Sequence, residues 1–343
     1  MSNKSITIKD ILWQLKADLI GKDSHRGITL TYAWLANQFG HFSLGFIPTL
    51  GVYHLLLERP TVTSPDIRAS VSIAVFWLVF ELINFLVPLI LSKLRKEHTF
   101  PPAWANIAFD TFTDLCFFWM GTVVAVLFIS FSVGKISVLL VLLLFLAWPS
   151  YHWFLTKLYL QGARYPFQLR LSQVRLPMSN GNKKLVFDYL NSQEEGKHLL
   201  IYGGRQSGKT SLSVALATEL SIRHHTVFYT TAMKLFSLFA ESGLAESRQD
   251  ILWTWREASL LIIDDINPGW PVPRSLITAD GFRQLIDLSE ELSEVNRQVL
   301  KEKNVIWVIG AEAGNRSHSS SWEKMLLGIG IPATKISTVY LLD

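Results

Sequence analysis

Gly203, Gly208, Lys209 and Thr210 stand at the spacing G-x-x-x-x-G-K-[ST], a pattern built for holding phosphate. Leu199 to Tyr202, four apolar residues, precede it as a short buried strand, and Leu212 to Leu220 follow it with helical spacing. Glycines at these positions let backbone N–H groups converge on phosphate oxygens, and the start of a helix adds its positive dipole end. On this reading Lys209 reaches the β and γ phosphates of ATP, and the Thr210 hydroxyl holds Mg²⁺. The residues expected to line the nucleotide are Gly203, Gly204, Arg205, Gln206, Ser207, Gly208, Lys209, Thr210 and Ser211. The alternative is a glycine-rich turn carrying an isolated lysine.

A second constellation, the expected partner of a phosphate loop, lies about fifty residues on. Ser259 to Asp265 is a run of large aliphatics ending in Asp264 and Asp265. A buried strand delivers a carboxylate to its C-terminal edge, where open α/β sheets bind ligands. Asp264 is expected to bind Mg²⁺, mostly through water, and Asp265 to polarise the attacking water. Asp265 also fits a plain helix N-cap, and that reading stays open.

The elements around these residues alternate. Thr226–Thr230 reads as a strand, Ala232–Glu241 as a helix, Gly281–Glu302 as one long helix, and Asn304–Gly310 as a strand. Ser319–Leu327 reads as a short helix and Lys335–Leu342 as a last strand. Strand–helix alternation predicts a parallel three-layer α/β/α sandwich. Upstream, Gln168–Leu176 alternates loosely like a strand, Pro177–Asn182 reads as a turn, and Lys183–Asn191 as a helix. No Gly/Ser-rich tether interrupts this stretch, which favours mechanical coupling between the two halves over a loose leash.

The first half is of another kind. Of 343 residues only 17% are charged, and the deficit is local: residues 1–160 hold 12 Lys+Arg and 9 Asp+Glu, residues 161–343 hold 20 and 19. Ile6–Ile20 has the spacing of an amphipathic helix, suited to a membrane interface or to a soluble partner. Four apolar runs follow, at about 41–57, 69–91, 104–131 and 136–155. The first is the weakest, with Gly45, Pro48, Gly51 and His54 inside it. The others are long enough to cross about 30 Å of hydrocarbon. Lys and Arg cluster before the first run, between the second and third, and after the fourth, which places both termini in the cytoplasm of a bacterial inner membrane. Glu81 and Asn84, and Asp110 and Asp114, fall within the runs. They fit an ion path, a contact with another membrane chain, or hydration at the boundary. Cys116 is the single cysteine, so there is no disulfide framework. No removable signal peptide is expected from the polar start.

Gly203–Thr210, Thr226–Phe239 and Leu260–Asp265 together resemble the AAA+ ATPase core of helicase loaders and transposition helpers of the DnaC/IstB kind. The resemblance covers roughly residues 183–343. It implies a homo-oligomer and an Arg supplied across a subunit interface, for which Arg316 and Arg297 are the candidates, each more readily read as a solvated surface residue. Three departures stand out. Where that family carries a polar sensor, this chain has Gly310-Ala311-Glu312, leaving Glu312 and Asn315 as the polar candidates. No C-terminal lid is expected after the last strand. A membrane segment takes the place of the DNA-facing partner segment.

The expected organisation is a membrane domain over 1–160, a linker over 161–182 and an ATPase domain over 183–343. The expected function is a membrane-anchored, slow ATPase whose nucleotide state reshapes a membrane complex or its membrane or cytosolic protein partner. One alternative is a membrane-tethered DNA-handling ATPase, which the near-neutral charge of residues 161–343 does not favour. The other is a nucleotide-gated pore or scaffold of a conjugation or anti-phage system.

Overall fold

The computed structural model describes residues 5–20, 27–95, 98–192, 194–239, 252–267, 276–310 and 317–341. The chain divides into two compact units. A helical unit comprises Ile11–Glu97 and Pro102–Leu158, and a sheet unit comprises Met1–Asp10, His98–Pro101 and Tyr159–Asp343.

The helical unit is built from α1 (Ile8–Ile20), α2 (Leu30–Leu57), α3 (Pro65–Arg95), α4 (Trp104–Ile129) and α5 (Val133–Gly162), with the division falling inside α1 and α5. Ile8, Leu12, Leu19 and Ile20 leave an uncovered apolar stripe on α1. By length and composition α3, α4 and α5 can each cross a membrane. Although α2 has 28 residues, Asn37, Gln38 and His41 dilute its apolar character, and it is not among those three. The weakest apolar run therefore lies in a longer helix than its hydropathy indicates. It starts at the Thr29 cap, whose side chain accepts from Tyr32 N at 3.1 Å.

Two glycines bring α2 and α4 together. A Cβ on Gly45 would lie 2.0 Å from the Phe118 carbonyl oxygen, and one on Gly121 would lie 2.1 Å from that of Phe42. Such a crossing exists only because neither residue has a side chain, the usual device of helices packed in lipid. Trp77 of α3 closes over the same place, stacked on Phe118 at 4.1 Å and donating from Nε1 to Leu44 O at 3.0 Å. The outward faces of α3 and α5 stay apolar and uncovered, with Phe76, Phe80, Ile83, Leu140 and Leu144 exposed. His41 Nε2 lies 3.6 Å from Asp114 Oδ2, and Glu81 is buried, so these polar residues turn inward.

The sheet unit has five parallel strands in the order β2-β3-β4-β1-β5: β1 (His198–Gly203), β2 (Val227–Thr231), β3 (Leu260–Ile266), β4 (Asn304–Gly310) and β5 (Ile336–Tyr340). Helices α6 (Asn180–Asn191), α7 (Lys209–Ile222), α8 (Ala232–Phe239), α9 (Ala279–Ile286), α10 (Ser293–Glu302) and α11 (Ser317–Gly328) connect and precede them. Strands β1 and β4 are apolar almost throughout, as central strands covered on both faces must be. The core also takes in Phe100, fully buried and 5.4 Å from the Phe187 ring. Thr99 Oγ1, beside it, donates to Leu176 O at 3.3 Å.

Two expected elements take another form. Gln168–Leu176 is no strand: Leu171–Gln173 is a 3₁₀ turn, closed by Gln173 Oε1 accepting from Arg170 N at 2.8 Å. That turn puts Leu171 and Val174, three apart, on one buried face, which an extended chain would split. The helix expected over Gly281–Glu302 is two, α9 and α10. The break lies between the Asp287 C-cap of α9 and the Leu292 N-cap of α10.

Candidate functional site

β1 ends at Gly203, the loop runs through Gly204–Gly208, and α7 opens at Lys209. Gln206 and Gly208 have φ of 64° and 85°, the left-handed backbone a tight loop requires. A Cβ on Gly203 would sit 2.3 Å from Ser207 Oγ, so the loop folds directly over the strand end. Arg205 and Gln206 are exposed at its tip; Gly204, Ser207 and Ser211 are half-buried. Lys209 Nζ turns back to donate to the Gly204 carbonyl. The buried Ser207 Oγ has no hydrogen-bond partner. A lysine folded onto its own loop, a hydroxyl without a partner and a helix start at one place fit the binding of a phosphate group.

β3 supplies the other half. Pairing of β3 with β4 matches Ile263 to Trp307 and Ile266 to Ile309, so three steps on β3 (266 − 263) oppose two on β4 (309 − 307). The extra residue is a bulge at Asp264–Asp265. Asp265 there adopts φ 56° and Asn267 φ 52°. A bulge of this kind re-aims side chains: Asp264 stays buried at 1% exposure while Asp265 stands at the exposed rim. Gly310, at the end of β4, makes room, since a Cβ there would fall 1.7 Å from the Asn267 carbonyl oxygen.

The two halves meet. Thr210 Oγ1 donates to Asp264 Oδ1 at 3.2 Å, joining the phosphate loop to the acidic strand end. Asp265 N donates to the same oxygen at 2.7 Å, and Tyr229 Oη to Oδ2 at 2.6 Å. Loss of solvent raises the Asp265 carboxyl above its ordinary range, with Asp264 adding repulsion and Lys209 pulling it back down. Burial and the bond to Asp264 hold the Tyr229 phenol protonated, hence a donor. A hydroxyl and a carboxylate 3.2 Å apart beside a phosphate-shaped loop are suited to Mg²⁺, which binds through one or two protein oxygens with water and substrate phosphates.

The structure thus brings Gly203–Ser211, Asp264 and Asp265 to one edge of the sheet. The Arg297 guanidinium holds Asp287 with contacts of 2.7 and 2.6 Å. Glu312, Asn315 and Arg316 lie outside the described residues. Tyr229 was hidden in the sequence, where Thr226–Thr230 reads only as a strand. No local sequence pattern marks it: the parallel pairing of β2 with β3, which sets Thr231 opposite Asp264, brings it there.

No protein-family model matches the sequence. No curated protein matches it. Among solved structures the chain is similar to the DnaC helicase loader, at 18% identity over 54% of this chain and 99% of that one, with a TM-score of 0.33. It is similar also to DnaI, at 16% identity over 51% of this chain and 88% of that one, with a TM-score of 0.32.

Proposed function

We propose that this chain is a membrane-anchored ATPase of the bacterial inner membrane, with both termini and the nucleotide site in the cytoplasm. Helices α3, α4 and α5 cross the bilayer and α2 is the fourth crossing. The observation that carries the reading is the Thr210–Asp264 hydrogen bond, which joins loop and acidic strand end at one sheet edge. Gly203–Ser211 cradle the phosphates, and Lys209 leaves the Gly204 carbonyl to meet the triphosphate. Thr210 and Asp264 would hold Mg²⁺, which when bound offsets charge on the phosphate oxygens. Asp265 orients water for attack at the γ-phosphorus. The chain acts as an oligomer, and its nucleotide state alters the conformation or assembly of a membrane complex with a further protein.

The test is phosphate release from Mg-ATP by the full chain in detergent, followed by co-purification of partners with wild type and Asp265→Asn. Turnover abolished in Lys209→Ala, and partners retained selectively by Asp265→Asn with ATP, are the expected results. Failure of labelled ATP to bind at millimolar concentration overturns the reading. Turnover that rises on adding DNA would replace it with the DNA-handling alternative.

A further inference from the structure

Strand β2 is an edge strand, first in the order β2-β3-β4-β1-β5. Its outer side is covered by the residues that close and follow α5. Tyr229 N donates to Ala163 O at 3.1 Å. The Arg164 guanidinium lies over the Phe228 ring at 5.7 Å. Trp253 Nε1 donates to Val227 O at 2.8 Å, and its ring packs so tightly on Gly162 that a Cβ there would be 2.4 Å from Cη2. The end of α5 and the edge of the sheet are therefore tied at three successive β2 residues.

Tyr229 is the one of the three that also reaches the candidate site. Its backbone N–H holds Ala163 while its hydroxyl holds Asp264 Oδ2 at 2.6 Å. Thr210 and the Asp265 amide occupy only the other oxygen, Oδ1. One face of the carboxylate is thus fixed by the phosphate loop and its own strand, and the other by Tyr229 alone among the described residues.

We propose that Tyr229 is a positioning residue for the metal-holding carboxylate, and that through it the C-terminal end of α5 sets how well the site binds Mg²⁺. The proposal rests on the ATPase reading above. A shift of Gly162–Arg164 moves Tyr229 by its backbone, and the hydroxyl carries that shift to Asp264. Influence then runs both ways, since coupling between sites is reciprocal.

Tyr229→Phe in the full chain removes one hydroxyl and keeps ring and strand. The expected result is a roughly tenfold rise in the Mg²⁺ concentration that half-saturates ATP turnover, the scale of one hydrogen bond to a charged group. Binding of a fluorescent ATP analogue in EDTA should be unchanged, because the phosphate loop is untouched. A structural role alone would weaken both together. Gly162→Ala, which pushes Trp253 and the end of α5, should raise the Mg²⁺ requirement severalfold, and should add nothing further in the Tyr229→Phe background. An unchanged Mg²⁺ requirement in Tyr229→Phe overturns the positioning role, and additive effects in the double variant overturn the link to α5. Wild-type protein that binds no nucleotide sinks the ATPase reading itself, which is a different outcome from either.

Discussion

Asp265 offers the sharpest division between a chemical and a conformational role. Its φ of 56° is left-handed, and it occupies the extra position of the β3 bulge. Asn and Asp tolerate that backbone, whereas other L-residues lose about 1–2 kcal/mol there. Asp265→Asn should therefore leave stability within about 0.5 kcal/mol of wild type. Asp265→Ala should lower it by about 1–2 kcal/mol, or roughly 3–6 °C in the unfolding midpoint of a unit this size. Turnover behaves differently. Both variants lose the carboxylate proposed to orient water, and both should fall by about 10²–10⁴-fold. Nucleotide binding should survive in each, because Lys209, Thr210 and Asp264 remain. The assay pairs phosphate release from Mg-ATP with thermal unfolding and analogue binding, all on the full chain in one detergent. Wild-type turnover in Asp265→Asn would refute the water-orienting role and leave only the bulge. A midpoint for Asp265→Asn as low as that of Asp265→Ala would refute the backbone argument instead.

Acid should weaken the sheet unit through His198. Burial drives its imidazole down to about 3, so below pH 6.5 the unfolded chain takes up a proton that the folded chain refuses, and stability falls with pH. The loss through His198 between pH 7.5 and 5 is about 2 kcal/mol, and urea unfolding at the two pH values should show a drop smaller by about that amount in His198→Gln than in wild type. At the α2–α4 crossing, Gly45→Leu or Gly121→Leu should broaden or abolish the monodisperse peak on size exclusion in detergent. Gly51→Leu, with nothing within 4 Å of its Cβ position, should leave that peak intact.

The candidate site was legible where chemistry and periodicity coincide. Glycines and Lys209 at fixed offsets, and aliphatics running into Asp264, left few other folds for those stretches. The bulge was not legible, because Ile-Ile-Asp-Asp-Ile reads as an unbroken strand and only the pairing with β4 shows a surplus residue. Tyr229 was missed for a related reason: which side chain stands beside Asp264 depends on strand order, which no local pattern states. The division of 281–302 into α9 and α10 is not marked in the sequence, where the stretch reads as one long charged helix. Leu171 and Val174 looked alternating because loosely spaced apolar residues serve a 3₁₀ turn as well as a strand.

Phe100 comes from a short stretch between two long apolar helices, yet it fills the interior of the sheet unit. That unit is therefore discontinuous in sequence. A fragment begun at residue 159, or at 183, leaves the sheet unit without an aromatic plug beside Phe187. Emptying such a space costs about 3–5 kcal/mol, a large part of what holds a domain together. Supplying residues 98–101 in trans, or grafting them ahead of residue 159, is the remedy that geometry suggests to anyone preparing the sheet unit by itself.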